Sequence, residues 1–239
     1  MQILHIPVVI SLSIGLVAAT ALGAFQGLLV AKSAINPFII TLALLSIYKG
    51  LATVITKGDS FQNLPNSFRS INKIKILGTF PLTLIAAITI CILALLLFKY
   101  LPAGKKLEAC GASPRAAVFT GIHLSRTIII GHALSGLFVG MAAIVQMTKF
   151  GAAQLAIGSD WMMPSFVVTV LGGTLLSGGK VSVTGTFFGA ILMVVLNNAL
   201  VLWKVSPFAF QIFIGGILLL AYEIDRIRHI MINRQSDLG

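Results

Sequence analysis

The residues best suited to chemistry form a glycine-rich stretch, GGTLLSGGKVSVTG, which runs from Gly172 to Gly185 and contains Lys180. A phosphate-binding loop has the pattern G-x-x-x-x-G-K-[ST], in which the hydroxyl after the lysine binds magnesium. Here Thr174 occupies the position of the first glycine, and Val181 follows the lysine. Because two of the four fixed positions differ, the stretch is not predicted to bind a nucleotide.

The ionisable side chains do not form the pattern of an enzyme site. All six acidic residues fall in loops or at the ends of apolar segments, whereas ion-coupled carriers commonly place carboxylates inside the membrane. The two cysteines have no metal-ligand spacing, and the zinc pattern H-E-x-x-H is absent from the sequence. We therefore predict a protein that is not an enzyme and that binds no metal or cofactor directly. The acidic residues are Asp59, Glu108, Asp160, Glu223, Asp225 and Asp237.

A few polar side chains do lie within apolar segments. Thr174, Asn197 and Asn198 are candidates for a translocation path, because amides and hydroxyls both donate and accept hydrogen bonds to a polyhydroxylated solute. Hydrogen bonding between helices is the other interpretation of these residues, and both stay open. For His132, a hydrogen bond to a neighbouring helix is favoured over proton relay.

The composition identifies the class of protein. Of 239 residues, 57% are hydrophobic and only 10% are charged, against about a quarter in soluble domains. Repeated apolar runs of nearly 20 residues indicate helices that span a bilayer. We predict an all-α, polytopic transmembrane helical bundle that forms one domain over residues 1–239. The predicted segments are 7–31, 36–56, 79–99, 127–147, 162–176, 185–204 and 208–224.

Two of these seven or so segments have distinctive features, namely the fifth and the second. The fifth segment is too short to cross the bilayer comfortably, so we expect a broken or re-entrant element. Asn36 and Pro37 have the residue types of a helix cap and a first helical position, and they predict where the second helix starts.

The basic residues predict the orientation. The net charge of +11 comes mostly from residues that flank apolar segments, which indicates membrane topology and not a nucleic-acid partner. Ten basic residues lie in one set of alternate loops and six in the other. This bias predicts that residues 100–126 and the C-terminal tail face the cytoplasm, and that residues 57–78 face the opposite side.

Glycines are expected to have structural roles. Pairs four residues apart, such as Gly23 with Gly27 and Gly136 with Gly140, let helix backbones approach closely in lipid. In the glycine-rich stretch we expect the same close packing together with a turn. The glycines concerned there are Gly172, Gly173, Gly178, Gly179, Gly185 and Gly189.

Three stretches resemble the permeases of ribose-type ABC importers. EACGASPRAAVFTGIHLSRTIIIGHALSGLFVGMAAIV is similar to their cytoplasmic signature G-x-N-x-x-A-A-x-x-x-G-I. VLGGTLLSGGKVSVTGTFFGAILMVVLNNAL is similar to VIGGT-x-L-x-GG-x-G-x-x-x-GT-x-x-GA…NNG, and INPFIITLALLSIYKGLA to PPFI-x-TL-x-x-L-x-x-x-RG. Three positions depart from these patterns: Ser113 replaces asparagine, Val181 glycine, and Lys49 arginine.

The resemblance implies a multi-pass permease of the bacterial inner membrane that imports a sugar such as ribose. It implies a second permease subunit (the same or a different chain), a periplasmic solute-binding protein, and a separate ATPase that uses ATP and magnesium. Within the cytoplasmic loop 100–126, it implies a coupling helix from Glu108 to Gly121 that docks on the ATPase. The expected coupling residues are Glu108, Gly111, Ser113, Arg115, Ala116, Ala117 and Gly121.

Alternatives of different kinds stay open. The solute could be another small molecule of the same superfamily, such as a furanose-like signal, a nucleoside or an amino acid. An ATP-independent carrier or channel is a second alternative. The chain also looks shortened at its N-terminus relative to the family, which raises a non-transporting remnant as a third.

Overall fold

The computed structural model describes residues 7–33, 35–62, 64, 68, 75–76, 80–175, 178–204, 211–217, 219–220 and 223. Helices account for most of this part of the chain. Two short strands, β1 (Lys75–Ile76) and β2 (Phe80–Pro81), pair in antiparallel register. The helices are α1 (Val8–Lys32), α2 (Pro37–Thr56), α3 (Leu82–Tyr100), α4 (Pro102–Ala112), α5 (Pro114–Phe119), α6 (Leu124–Phe150), α7 (Met162–Leu171) and α8 (Val183–Leu202).

Five of these helices are long and apolar enough to cross a membrane, namely α1, α2, α3, α6 and α8. α7 has only 10 residues and is therefore about 15 Å long, half the thickness of a bilayer core. The predicted all-α bundle with one short segment is confirmed. The seventh predicted segment, 208–224, is helical over residues 211–217 and otherwise lies mostly outside the described residues.

Local sequence signals explain two of the helix starts. The Asn36 side chain accepts a hydrogen bond from the backbone N–H of Phe38 at 2.9 Å, and Pro37 is the first helical residue, as predicted. α3 begins at Leu82 and not at residue 79, because Phe80–Pro81 is in β2. Proline tolerates this place before a helix since it donates no backbone hydrogen bond.

The chain divides into two compact units, residues 1–157 and 158–239. In the first unit, α1 and α6 pack antiparallel through glycines. A Cβ on Gly23 would collide with the carbonyl oxygen of His132, and one on Gly136 would collide with that of Ala19. Any side chain at these positions would separate the helices. The close packing predicted for the Gly23 and Gly136 pairs is therefore confirmed.

His132 lies at this helix contact. Its Nδ1 atom is 3.4 Å from Nε2 of Gln26 on α1, a separation at which the two side chains form a hydrogen bond. Gly27 faces the same histidine, since a Cβ there would lie 2.8 Å from the His132 Cβ. The hydrogen bond to a neighbouring helix that was expected for His132 is confirmed, and it links two apolar helices where water is scarce.

The second unit has its own small apolar core. Val167 of α7, Met193 of α8 and Ile214 of the following helical residues are buried together, with Val168 and Ile217 packed against them. α7 and α8 therefore form a hairpin whose tip is the glycine-rich stretch. The single domain predicted for residues 1–239 is not tested by this division into units and stays a prediction.

Candidate functional site

Three hydroxyl side chains hold the turn between α7 and α8. Thr174 Oγ1 accepts a hydrogen bond from the backbone N–H of Ser182 at 3.1 Å and lies 3.4 Å from Thr186 Oγ1. Ser182 Oγ accepts from the N–H of Gly185 at 3.2 Å and so caps the start of α8. The side chains of Thr174 and Ser182 thus hydrogen-bond the start of the turn to the beginning of α8.

Glycines bring the two arms of this hairpin into backbone contact. A Cβ on Gly185 would collide with the carbonyl oxygen of Gly172, and one on Gly189 would lie 2.6 Å from the carbonyl oxygen of Val168. Within the turn, Gly173 and Gly178 have φ angles of +80° and +92°, which side chains rarely allow. Gly179 is similar, at +86°.

We expect Thr174→Val to lower the free energy of unfolding by about 1–3 kcal/mol, because the N–H of Ser182 loses its acceptor. Thr174→Ser keeps the oxygen and should remain close to the original protein. Thermal unfolding in detergent measures the difference. If Thr174→Val left stability unchanged and altered only solute uptake, Thr174 would belong to a translocation path and not to the scaffold of the turn.

Asn197 and Asn198 lie in a more exposed environment than Thr174. Both side chains are exposed on α8, within the last six residues of that helix. Their neighbours Val194, Val195 and Leu196 are exposed apolar residues. Amides on an apolar helix need hydrogen-bond partners, which lipid tails do not offer. This surface therefore suits contact with a polar solute or with another protein chain.

The loop between α3 and α6 contains two helices where one was expected. α4 ends at Ala112 and α5 begins at Pro114, so the expected coupling helix from Glu108 to Gly121 is interrupted. The reason is Pro114, which disfavours helical backbone in the preceding residue. Ser113 is accordingly extended, with φ −156° and ψ 103°, and its Oγ accepts a hydrogen bond from the N–H of Ala116 at 3.3 Å.

The expected coupling residues differ in exposure and fall into three groups. Ala117 is only 3% exposed and packs inside its own chain, so in this conformation it does not offer a surface to a partner. Glu108 and Ser113 are half-buried. Those exposed are Gly111, Arg115, Ala116 and Gly121.

Sequence reasoning missed the most prominent side chain of this loop. Phe119, the last residue of α5, is 90% exposed, and its neighbour Val118 is also exposed. Beside them is an open concavity of about 430 Å³, lined by Val118 and residues 121–126. The signal was available in the sequence: Val118 and Phe119 are two adjacent large apolar residues that follow the small residues Ala116 and Ala117. Adjacent exposed apolar residues outside the long apolar helices are suited to contact with another protein chain or with a membrane surface.

Among the residues that the structure describes, no three His, Cys, Asp or Glu side chains lie together as metal ligands would. The described residues instead form apolar helices, a glycine-packed hairpin and a short helix that ends in an exposed aromatic side chain.

The chain is similar to permeases of known importers. The ribose import permease protein RbsC of Bacillus subtilis (strain 168) is 31% identical over 203 residues, which cover 84% of this chain and 63% of the relative. The D-allose transport system permease protein AlsC of Escherichia coli (strain K12) is 26% identical, over 89% of this chain and 65% of the relative. This chain thus spans less than two thirds of the length of these two relatives.

A third relative covers the chain almost completely. The autoinducer 2 import system permease protein LsrC of Enterobacter sp. (strain 638) is 30% identical over 237 residues, which are 98% of this chain and 67% of the relative. No solved structure matches the chain significantly. Residues 1–222 match the family described as branched-chain amino acid transport system / permease component, and the chain therefore belongs to this family of membrane permeases.

Proposed function

We propose that this chain is the membrane-spanning permease subunit of an ATP-driven importer for a sugar such as ribose. The observation that carries the proposal lies in the segment between α3 and α6 that contains α4 and α5, here called the α4–α5 loop, in which Ala116 and Phe119 are exposed. An exposed aromatic residue beside small residues is suited to docking on another subunit. The relatives whose names specify ribose and D-allose support a sugar as the solute.

In this proposal the ATPase subunit binds at α5. Ser113 ends one helix and caps the next, so α5 is set off from α4 as a separate, short element. Phe119 would enter a pocket of the ATPase, and Arg115 would lie at the rim and mainly affect orientation and association rate. ATP and magnesium would act in the ATPase, while this chain performs no covalent chemistry.

We further propose that the α4–α5 loop and the C-terminal tail face the cytoplasm. The ten-to-six distribution of basic residues between alternate loops supports this orientation. A periplasmic binding protein would then deliver the solute to the opposite side of the membrane. A second permease subunit would complete the path.

Asn197 and Asn198 are proposed to serve that path. Exposed amides on α8 would exchange hydrogen bonds with the hydroxyl groups of a sugar, since each amide both donates and accepts. The geometry favours this role for the asparagines over Thr174, whose hydroxyl is already engaged inside the turn.

Uptake of labelled ribose tests the proposal. The chain would be expressed with the ATPase and solute-binding protein of a ribose importer in a strain lacking the intact permease. We expect uptake that disappears when the ATPase carries a substituted P-loop lysine, because the energy would come from ATP. Uptake that persists with the inactive ATPase and follows an ion gradient would instead identify an ATP-independent carrier.

A panel of unlabelled competitors addresses the solute itself. Excess D-allose or another sugar is expected to reduce ribose uptake, whereas amino acids should not. If ribose is not transported and an amino acid, a nucleoside or a furanose-like signal is, the sugar assignment is wrong while the permease assignment stands.

A further inference from the structure

A basic corner lies where α3 meets α4. We define the α3–α4 corner as residues 99–106, with Lys99 in the last turn of α3 and Lys105 and Lys106 in α4. Only Leu101 separates the two helices. Lys105 and Lys106 are both exposed, as are Tyr100 and Leu101. Positive charge and apolar surface are thus combined within a few residues.

The backbone holds this corner against the ends of the long helices. A Cβ on Gly104 would lie 2.6 Å from both the carbonyl oxygen of Leu97 and the Cα of Phe98, so α4 turns back tightly onto the last turns of α3. On the other side, Leu107 packs against Gly131 of α6. Gly104 contacts α3 and Leu107 contacts α6, so the exposed Lys105 and Lys106 lie on the part of α4 that contacts neither helix.

The corner directly follows a helix that is long and apolar enough to cross a membrane. α3 is a candidate membrane span that ends at Tyr100, and α4 begins two residues later. The Nζ atom of Lys99 lies 5.4 Å from the centre of the Tyr100 ring. Lysine and tyrosine at the end of an apolar helix are typical of the boundary between hydrocarbon and water.

Charge favours an anionic occupant. Residues 99–126 contain five basic side chains and one acidic side chain, Glu108, a net charge of +4. Below the corner, Leu93 and Leu96 of α3 are exposed and apolar. A ligand that matches both surfaces has a negative head group and a hydrocarbon tail.

We infer that the α3–α4 corner binds an anionic phospholipid. Lys99, Lys105 and Lys106 supply the positive charge that attracts the lipid phosphate, and an acyl chain lies along the exposed leucines of α3. This contact holds α4 at the membrane surface and leaves α5, with Phe119, to extend toward other partners. The inference does not depend on the transported solute or on the ATPase.

Native mass spectrometry of the full chain in detergent tests the inference. The probes are phosphatidylglycerol and phosphatidylcholine, added in equal amounts. We expect the original protein to retain phosphatidylglycerol preferentially. Lys105→Gln combined with Lys106→Gln should weaken phosphatidylglycerol binding by about fivefold for each lysine removed, the effect typical of a basic side chain near an anionic membrane surface. Phosphatidylcholine binding should not change.

Two matched variants distinguish lipid binding at this corner from a nonspecific effect of the protein's net positive charge. Lys105→Arg with Lys106→Arg keeps the charge and should keep the preference. Lys57→Gln with Lys204→Gln removes two lysines at the ends of α2 and α8 and should also keep it. The inference fails if the Lys105 and Lys106 glutamine variant retains the full preference, or if the control pair loses it equally. Displacement of the lipid by soluble glycerol phosphate would identify a free phosphate site instead.

Discussion

Gly136→Val is expected to reduce the free energy of unfolding by at least about 3 kcal/mol, because the new side chain has no space between α1 and α6. A Cβ at this position would collide with the carbonyl oxygen of Ala19 and lie 3.2 Å from the Cα of Gly23. These are backbone atoms, which cannot move aside by changing rotamer. The helices must therefore separate along the contact that includes Gln26 and His132.

A graded series of glycines tests this explanation. A Cβ on Gly140 would lie 3.0 Å from the Ala19 Cβ and 3.1 Å from a methyl carbon of Leu16. These contacts are longer than the collision at Gly136, and the leucine can change rotamer, so a smaller shift relieves them. A Cβ on Gly15 would meet no atom within 4 Å. Valine should therefore cost most at residue 136, less at 140 and nothing at 15. Thermal unfolding in detergent, followed by far-UV circular dichroism, measures the order, and equal losses at all three positions would contradict it.

Ala116→Trp is expected to abolish ATP-dependent transport while membrane insertion and folding are preserved. Ala116 is exposed on α5, so a large side chain can be accommodated in the isolated chain. In the proposed complex, the same surface is packed closely against the ATPase and cannot accept the added volume. Co-purification with the ATPase and ribose uptake should both be lost.

The adjacent residue provides the matched comparison. Ala117 is buried, so Ala117→Trp should destabilise the chain itself and reduce the amount of folded protein. Phe119→Ala should leave folding intact and weaken ATPase binding by about 2 kcal/mol, or roughly thirtyfold, as expected for an exposed aromatic anchor. Asp59→Trp, in the exposed turn after α2, should change neither the amount of folded protein nor ATPase binding. Normal transport by the Ala116→Trp variant would refute docking at α5.

Local sequence determined most of the helical framework. Long apolar runs indicate membrane helices because an unpaired backbone group is costly in hydrocarbon, and this requirement needs no knowledge of neighbouring elements. The Asn36 cap and the short α7 could also be predicted from the sequence, because each depends only on a few adjacent residues. The break at Ser113 also follows from a local rule about proline, although the predicted coupling helix did not take it into account.

Tertiary structure decided which surfaces are available. Ala116 and Ala117 are the same residue type in one short helix, yet one is exposed and the other is buried. Thr174 and Asn197 both looked like path residues, but the threonine is engaged by the N–H of Ser182 eight residues away, while the asparagine remains exposed. The sequence alone predicts that glycines lie at close helix contacts and that lysines flank the membrane helices. Which helix a glycine faces, and whether a side chain reaches the surface, depends on contacts between residues far apart in the chain, which local periodicity does not encode.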